Sequence, residues 1–242
     1  MKILSLAVAD STNNWVASHE KELPATCFVK CHTQTHGRGQ RGNSWESAPG
    51  KNITGSLLIH PQDFPASAQF LISEAVALGV SELLSIYGIH AKVKWPNDIY
   101  VGDNKIAGIL FEHVIYDRNI HRTISGIGLN VNQTIFNGDA PNPVSMKQIT
   151  GKEYDLEEVA QTLTDCIERN IEIISSGNNL HSEYMDNLWR NDGGFHPFHE
   201  KKTGRRFLGR ILSVAHDGIL TLEDTEGNTL PYAFKEIEFL RE

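Results

Sequence analysis

Cysteine is scarce: three residues in 242, an odd number, which excludes a disulfide framework as the basis of the fold. Basic side chains are outnumbered, 22 lysines and arginines against 30 aspartates and glutamates, for a formal charge of −8. A nucleic-acid binder usually carries a basic surface, so binding to DNA or RNA is not expected of the chain as a whole. No run of about 18 apolar residues occurs, so no membrane-spanning helix is expected. The first residues, Met1 to Ala9, begin like a secretion signal, but the apolar part is short and Asp10, Asn13 and Asn14 end it. The expected location is the cytoplasm. Internal repeats and low-complexity stretches are absent from the sequence.

What is present fits one large domain with a small appendage, since 40% of the residues are hydrophobic and supply a sizeable core. Ser11-Thr12-Asn13-Asn14 reads as a helix N-cap. Cys27 to His32 reads as a strand, and alternation at Ile53, Gly55, Leu57 and Ile59 predicts a half-buried one. Residues 66–87 have the length and propensity of a buried helix. Lys92 to Trp95, Ile99 to Val101, Lys105 to Tyr116 and Thr123 to Asn132 read as successive strands with polar turns between them, which predicts an antiparallel or mixed sheet. Asp155, with Glu158 three residues on, predicts a capping box at the head of an amphipathic helix. A second helix is expected from Leu180 to Arg190. Beyond Gly193-Gly194, strands are expected at 206–212, 218–223 and 229–234, forming a small β-barrel that leans on the larger domain.

Cys27, Cys31, His32 and His36 are close enough in sequence to suggest a metal site. Residues four apart on a strand are separated by roughly 13 Å, whereas zinc holds sulfur at about 2.3 Å, so one ion does not take both cysteines. The segment Gly37-Arg38-Gly39-Gln40-Arg41-Gly42-Asn43-Ser44-Trp45 carries more information. Glycine lets backbone N–H groups approach a ligand. Arginine offers a fixed fork of donors for phosphate or carboxylate, and a flat aromatic ring covers a base or a pocket. A small anionic, nucleotide-like ligand is the reading that results. A solvated Gly/Arg turn is the alternative.

Ser11-Thr12-Asn13, Gln34 ahead of the Gly-Arg-Gly loop, Lys94-Trp95-Pro96-Asn97-Asp98, and Lys105-Ile106-Ala107-Gly108 follow one another along the chain. With Gly126-Ile127-Gly128-Leu129-Asn130-Val131-Asn132, they resemble the biotin–protein ligase family, the biotin–[acetyl-CoA-carboxylase] ligases. The resemblance runs over essentially the whole chain. Each motif is weak to moderate alone, and their order and spacing are what carry it.

The resemblance implies an α+β fold. A class II synthetase-like biotin/lipoate ligase catalytic domain would occupy 1–192, with a mixed, largely antiparallel sheet flanked by helices. A small SH3-like β-barrel would occupy 193–242. It also implies two-step chemistry. Biotin attacks the α-phosphate of Mg·ATP, giving biotinyl-5′-adenylate, and a lysine of a biotin carboxyl carrier domain then attacks the anhydride.

By the same resemblance, Arg38 and Lys105 are the catalytic cations. Ser11, Thr12, Asn13, Gln34, Arg38, Gly39, Gln40, Lys105 and Gly108 would bind biotin. Arg38, Arg41, Gly42, Trp45, Lys94, Asn97, Asp98, Lys105 and Asn130 would bind ATP, with Asp98 beside Mg²⁺. Simpler roles exist for several: helix capping for Ser11 and Thr12, an Asx turn for Asp98, core packing for Trp45, a bulge for Gly108. For Gln34 no such role is evident from sequence.

Family members often carry arginine where this chain has Gln40 and Asn43, which would loosen the grip on the adenylate phosphate. Only ten residues precede Ser11, so the DNA-binding domain of many relatives is not expected, and neither is sequence-specific DNA binding. A homodimer is compatible with the sequence. A lipoate–protein ligase and a non-catalytic biotin-binding regulatory module are the competing functions.

Overall fold

A computed structural model describes residues 1–39, 44–138, 140 and 142–241. The first layer is a seven-stranded sheet built from β1 (Lys2–Ala9), β2 (Thr26–Gln34), β3 (Ile53–Ile59), β4 (Lys92–Lys94), β5 (Asp98–Val101), β6 (Asn104–Tyr116) and β7 (Asn119–Leu129). Its order is β1-β2-β3-β7-β6-β5-β4. β1 pairs parallel to β2, in register from Lys2 opposite Cys27 to Ala9 opposite Gln34, and the other neighbours are antiparallel. The sheet is therefore mixed and largely antiparallel, as expected. The leader-like N-terminus is itself the edge strand β1, which was not anticipated.

The faces of the sheet are covered by different elements. One carries α1 (Thr12–His19), whose Val16 packs with Cys27, Val29, Leu58 and Ile124 in a small apolar cluster. The other carries α2 (Gln69–Ile86) and α4 (Leu156–Ser175) over Phe28, Leu57, Ile109, Ile127 and Leu129. Covering both faces explains why every residue of β3 is buried, where alternation predicted a half-buried strand. Residues 66–86 form a helical segment apolar and long enough to cross a membrane, but most of it lies inside the molecule against the sheet and α4. Gly79 sets the approach of the two helices: a Cβ there would lie 2.6 Å from Ile167 Cγ1 and 3.0 Å from its backbone nitrogen. The buried stripe of α4 includes Ala160, Leu163, Ile167 and Ile174, as its periodicity predicts.

Helix ends differ from expectation in two places. Asp155 caps α4 by accepting from the Glu157 and Glu158 amides at 2.7 and 3.3 Å, but the two-way capping box stands at α3 (Met146–Thr150), between Ser145 and Gln148. The second helix expected to reach Arg190 is the short α5 (His181–Asp186). It stops because the following residues pair with β4, Val93 N–H donating to Asn187 O and Trp189 N–H to Val93 O, both at 2.8 Å.

The C-terminal residues form a five-stranded antiparallel sheet of β8 (His196–Glu200), β9 (Arg206–Val214), β10 (Leu220–Asp224), β11 (Thr229–Tyr232) and β12 (Ile237–Phe239), in the order β11-β10-β9-β8-β12. β8 and β12 were not among the expected strands. Residue 192, after which a domain boundary was expected, lies in the stretch between α5 and β8. The two sheets share one contiguous apolar cluster, which includes Phe198, Leu220 and Leu222. Trp95 Nε1–H donates to Gly218 O at 3.0 Å across the join.

The β10–β11 turn is organised by Asp224. Its carboxylate accepts from the Asn228 side chain and backbone, from Glu226 N–H, and from Arg205. These donors, the Asn228 amide first, hold its carboxyl at about 2, below the usual aspartate value. A depressed carboxyl contributes stability that is present above the unfolded pKa of about 3.9 and is lost as pH falls toward the folded value. Urea unfolding at pH 5 and pH 2.5 is expected to show a larger fall in midpoint for the unaltered protein than for Asp224→Ala.

Candidate active site

The pocket follows from sheet register. Asp98 pairs with Lys94 and with Gly108, Gly108 with Gly128, and Gly128 with Thr54. Residues in one cross-strand row point to one face, so five strands place Lys94, Asp98, Gly108, Gly128 and Thr54 side by side on the α1 face. The next row brings Leu110, Gly126 and Ser56 together. Three of these positions carry no side chain. The result is a hollow over the middle of the sheet, a cleft of about 560 Å³ walled by α1, the end of the glycine loop, Phe136, Ala140 and Pro143, and the second sheet.

Neighbouring groups descend into the space the glycines leave. A Cβ on Gly128 would lie 2.2 Å from Trp45 Cε2, and one on Gly126 2.5 Å from Asn13 Oδ1. A Cβ on Gly108 would lie 3.1 Å from both Trp45 and Lys105. Trp45 therefore lies on the sheet floor, with its buried indole N–H unpartnered.

One end of the cleft is a neutral polar network. Gln34 Oε1 accepts from Thr12 N–H at 2.8 Å and from the Thr12 hydroxyl at 3.2 Å. Ser56 Oγ lies 2.7 Å from Thr12 Oγ1 and 2.5 Å from Asn13 Oδ1. Gln34 thus has the structural role that sequence did not reveal: it holds the first turn of α1. Ser11 occupies the N-cap position, but its side chain makes no capping bond, so capping does not account for it.

The other end is charged. Lys105 Nζ stands 2.7 Å from Asp98 Oδ1. A register shift in the β5–β6 ladder separates the pair Ile99–Ala107 from Tyr100–Lys105. In a regular ladder Lys105 would share the opposite face with Ala107 and Ile109, and the bulge re-aims it.

Arg38 is paired with Glu112 and Asn14. Glu112 also accepts from Asn13 Nδ2 at 2.7 Å, so one carboxylate anchors the glycine loop and α1 together. Lys94 donates to the Tyr100 hydroxyl at 3.2 Å and is surrounded by the rings of Tyr100, Trp189 and Phe239. Burial lowers its ammonium pKa, with Asp98 pulling the other way. Asn97 is buried and its amide donates to Ile109 O, a backbone-bracing contact. Asn130 donates to Val144 O at 3.1 Å, while its buried Oδ1 has no partner.

All thirteen candidate residues within the described chain line this one cleft. Gln40, Arg41 and Gly42 lie outside the described residues. Among the described residues no group of three or more His, Cys, Asp or Glu is placed to hold a metal ion. Cys27, Cys31 and Cys166 are buried free thiols. Glu112, Ser56, Thr54 and Glu46 were not anticipated. A single carboxylate in the apolar run Gly108-Ile109-Leu110-Phe111-Glu112 was the one signal in sequence for Glu112.

Residues 5–130 match the model of the biotin/lipoate A/B protein ligase family. The chain belongs to that family. It is 30% identical over 220 residues to the bifunctional ligase/repressor BirA of Bacillus spizizenii, covering 84% of this chain and 63% of that protein. It is 32% identical over 171 residues to the biotin–[acetyl-CoA-carboxylase] ligase of Paracoccus denitrificans, covering 68% of this chain and 70% of that one. In fold it resembles the biotin protein ligase from Aquifex aeolicus, solved in complex with biotin and ATP, with a TM-score of 0.82 and 23% identity over 100% of this chain and 99% of that one.

The glycine floor makes a direct prediction. Gly128→Ala should destabilise the protein by about 1–3 kcal/mol, the usual cost of overpacking. The cost should largely disappear when Trp45 is Ala, because the clash is with that ring. Urea unfolding of the two single variants and the double variant measures the coupling.

Proposed function

We propose that this protein is an ATP-dependent biotin ligase that activates biotin as biotinyl-5′-AMP and transfers it to a lysine of a biotin carboxyl carrier domain in the cytoplasm. The observation that carries the reading is the layout of the cleft: a neutral polar end and a cationic end, joined by a glycine floor on which the Trp45 ring lies. The ureido ring of biotin needs donors and acceptors together, and Thr12, Asn13, Gln34 and Ser56 supply both kinds. A flat ligand meets the Trp45 ring, which lies over Gly108 and Gly128. The unpartnered Asn130 Oδ1 is an acceptor suited to the exocyclic amine of adenine.

In the first step a biotin carboxylate oxygen attacks the α-phosphorus and pyrophosphate leaves. Two anions must meet, so fixed cations aimed at the developing charge lower the barrier. Lys105 and Arg38 are those cations, paired with Asp98 and Glu112. In the second step the carrier lysine's amine attacks the anhydride carbonyl, loses a proton, and AMP leaves. No covalent bond to the enzyme is needed, so orientation and exclusion of water supply the rest.

Mg²⁺ usually takes one or two protein carboxylates and fills its shell with phosphate oxygens and water. Asp98, a lone carboxylate facing the cleft beside Lys105, fits that pattern. The ion supplies charge neutralisation on the leaving pyrophosphate.

Isothermal titration is expected to show biotin binding, with lipoate weaker by about 100-fold or more because it leaves the polar end unpaired. Lys105→Ala should lower biotinyl-5′-AMP formation roughly 10²–10³-fold, the loss typical of one such donor. Preference for lipoate over biotin would contradict the reading.

A further inference from the structure

Outside the catalytic constellation, a second network ties the end of the glycine loop to the segment after β7. Glu46 follows Trp45 directly. Its Oε2 accepts from the backbone amides of Asn137 at 2.9 Å and Gly138 at 2.6 Å, while Oε1 accepts from Asn137 N–H at 3.0 Å and from Gln133 Nε2 at 3.1 Å. A Cβ on Gly138 would lie 2.9 Å from Glu46 Oε2, so glycine permits the close approach.

Gln133 is 5% exposed and uses both ends of its amide. Its oxygen accepts from Ala48 N–H at 2.9 Å and Asn52 Nδ2 at 2.6 Å, and its nitrogen also donates to Ile135 O at 2.8 Å. Asn52 in turn accepts from Val131 N–H at 3.0 Å. The tie therefore runs from a carboxylate at the cleft wall to a buried amide pair beneath it. Charge-assisted bonds from backbone amides to a carboxylate are among the stronger hydrogen bonds. Glu46 and Phe136 both line the cleft.

We propose that Glu46 is a positioning residue: it fixes the 133–138 segment, and Phe136 with it, as a wall of the nucleotide half of the cleft. This rests on the ligase reading above. Removing the carboxylate frees that wall without touching Thr12, Gln34 or Ser56, so the effect falls on nucleotide and not on biotin.

The test compares Glu46→Ala and Glu46→Gln in the full chain. Losing charge-assisted bonds should raise the KM for ATP about tenfold in Glu46→Ala, with the KM for biotin within about twofold of its starting value. Hydrogen exchange at the Asn137 and Gly138 amides should speed up by a similar factor. Glu46→Gln faces donors on both its oxygen positions and falls between. A rise in the KM for ATP with the KM for biotin held is a split that a residue serving general stability would not show. Unchanged amide exchange and unchanged ATP KM in Glu46→Ala would overturn the proposal, as would an equal rise in both KM values with a lower unfolding midpoint. If the unaltered protein turned over no ATP with biotin, the ligase reading and this role would fall together. Amide exchange reads the contact without turnover and separates the two failures.

Discussion

The site depends on one constraint: three strand positions facing α1 must lack side chains. Gly108, Gly126 and Gly128 lie on adjacent strands, and each hypothetical Cβ would meet Trp45, Asn13 or Lys105 at 3.1 Å or less. Glycine inside strands weakens them, because it packs nothing and loses more conformational freedom on folding. This protein accepts that cost at the centre of its largest sheet, where hydrogen bonds on both sides and the α2–α4 layer behind keep the strands in place. The hollow that results allows α1 to approach with its polar N-terminus, Trp45 to lie on the floor, and Lys105 to reach Asp98.

Around that hollow, cations are paired with carboxylates. Lys105 with Asp98 and Arg38 with Glu112 keep two cations at the cleft without leaving either uncompensated. Lys94 is held differently, in an aromatic cage to which the second sheet contributes Phe239. The two sheets meet at the rim of the cleft, where Trp95 bonds to Gly218. The C-terminal strands therefore do more than extend the core: they complete a wall of the site.

Much of this was legible in the sequence, for physical reasons. Length and propensity located α2, and periodicity located α4, because its apolar stripe faces a core. Polar turns located the β5–β6–β7 succession, because turns need residues tolerant of unusual dihedral angles. Every candidate residue within the described chain reached the same cleft, since the motifs sit at strand ends that the sheet gathers. What could not be read was partnership across the fold. Lys105 enters the site through a bulge, Gln34 braces α1 from 22 residues away, and Glu112 bridges two segments. β1 was disguised by its likeness to a leader, and α5 was shortened by a pairing with β4 that local propensity does not encode. These are long-range choices, which a linear pattern does not contain.

Exchange of labelled pyrophosphate into ATP tests the central claim most directly, because it reports reversible adenylation and needs no carrier protein. The account predicts exchange that depends on biotin and is strongly reduced in Lys105→Ala. No exchange with biotin, or exchange supported by lipoate in its place, would contradict it.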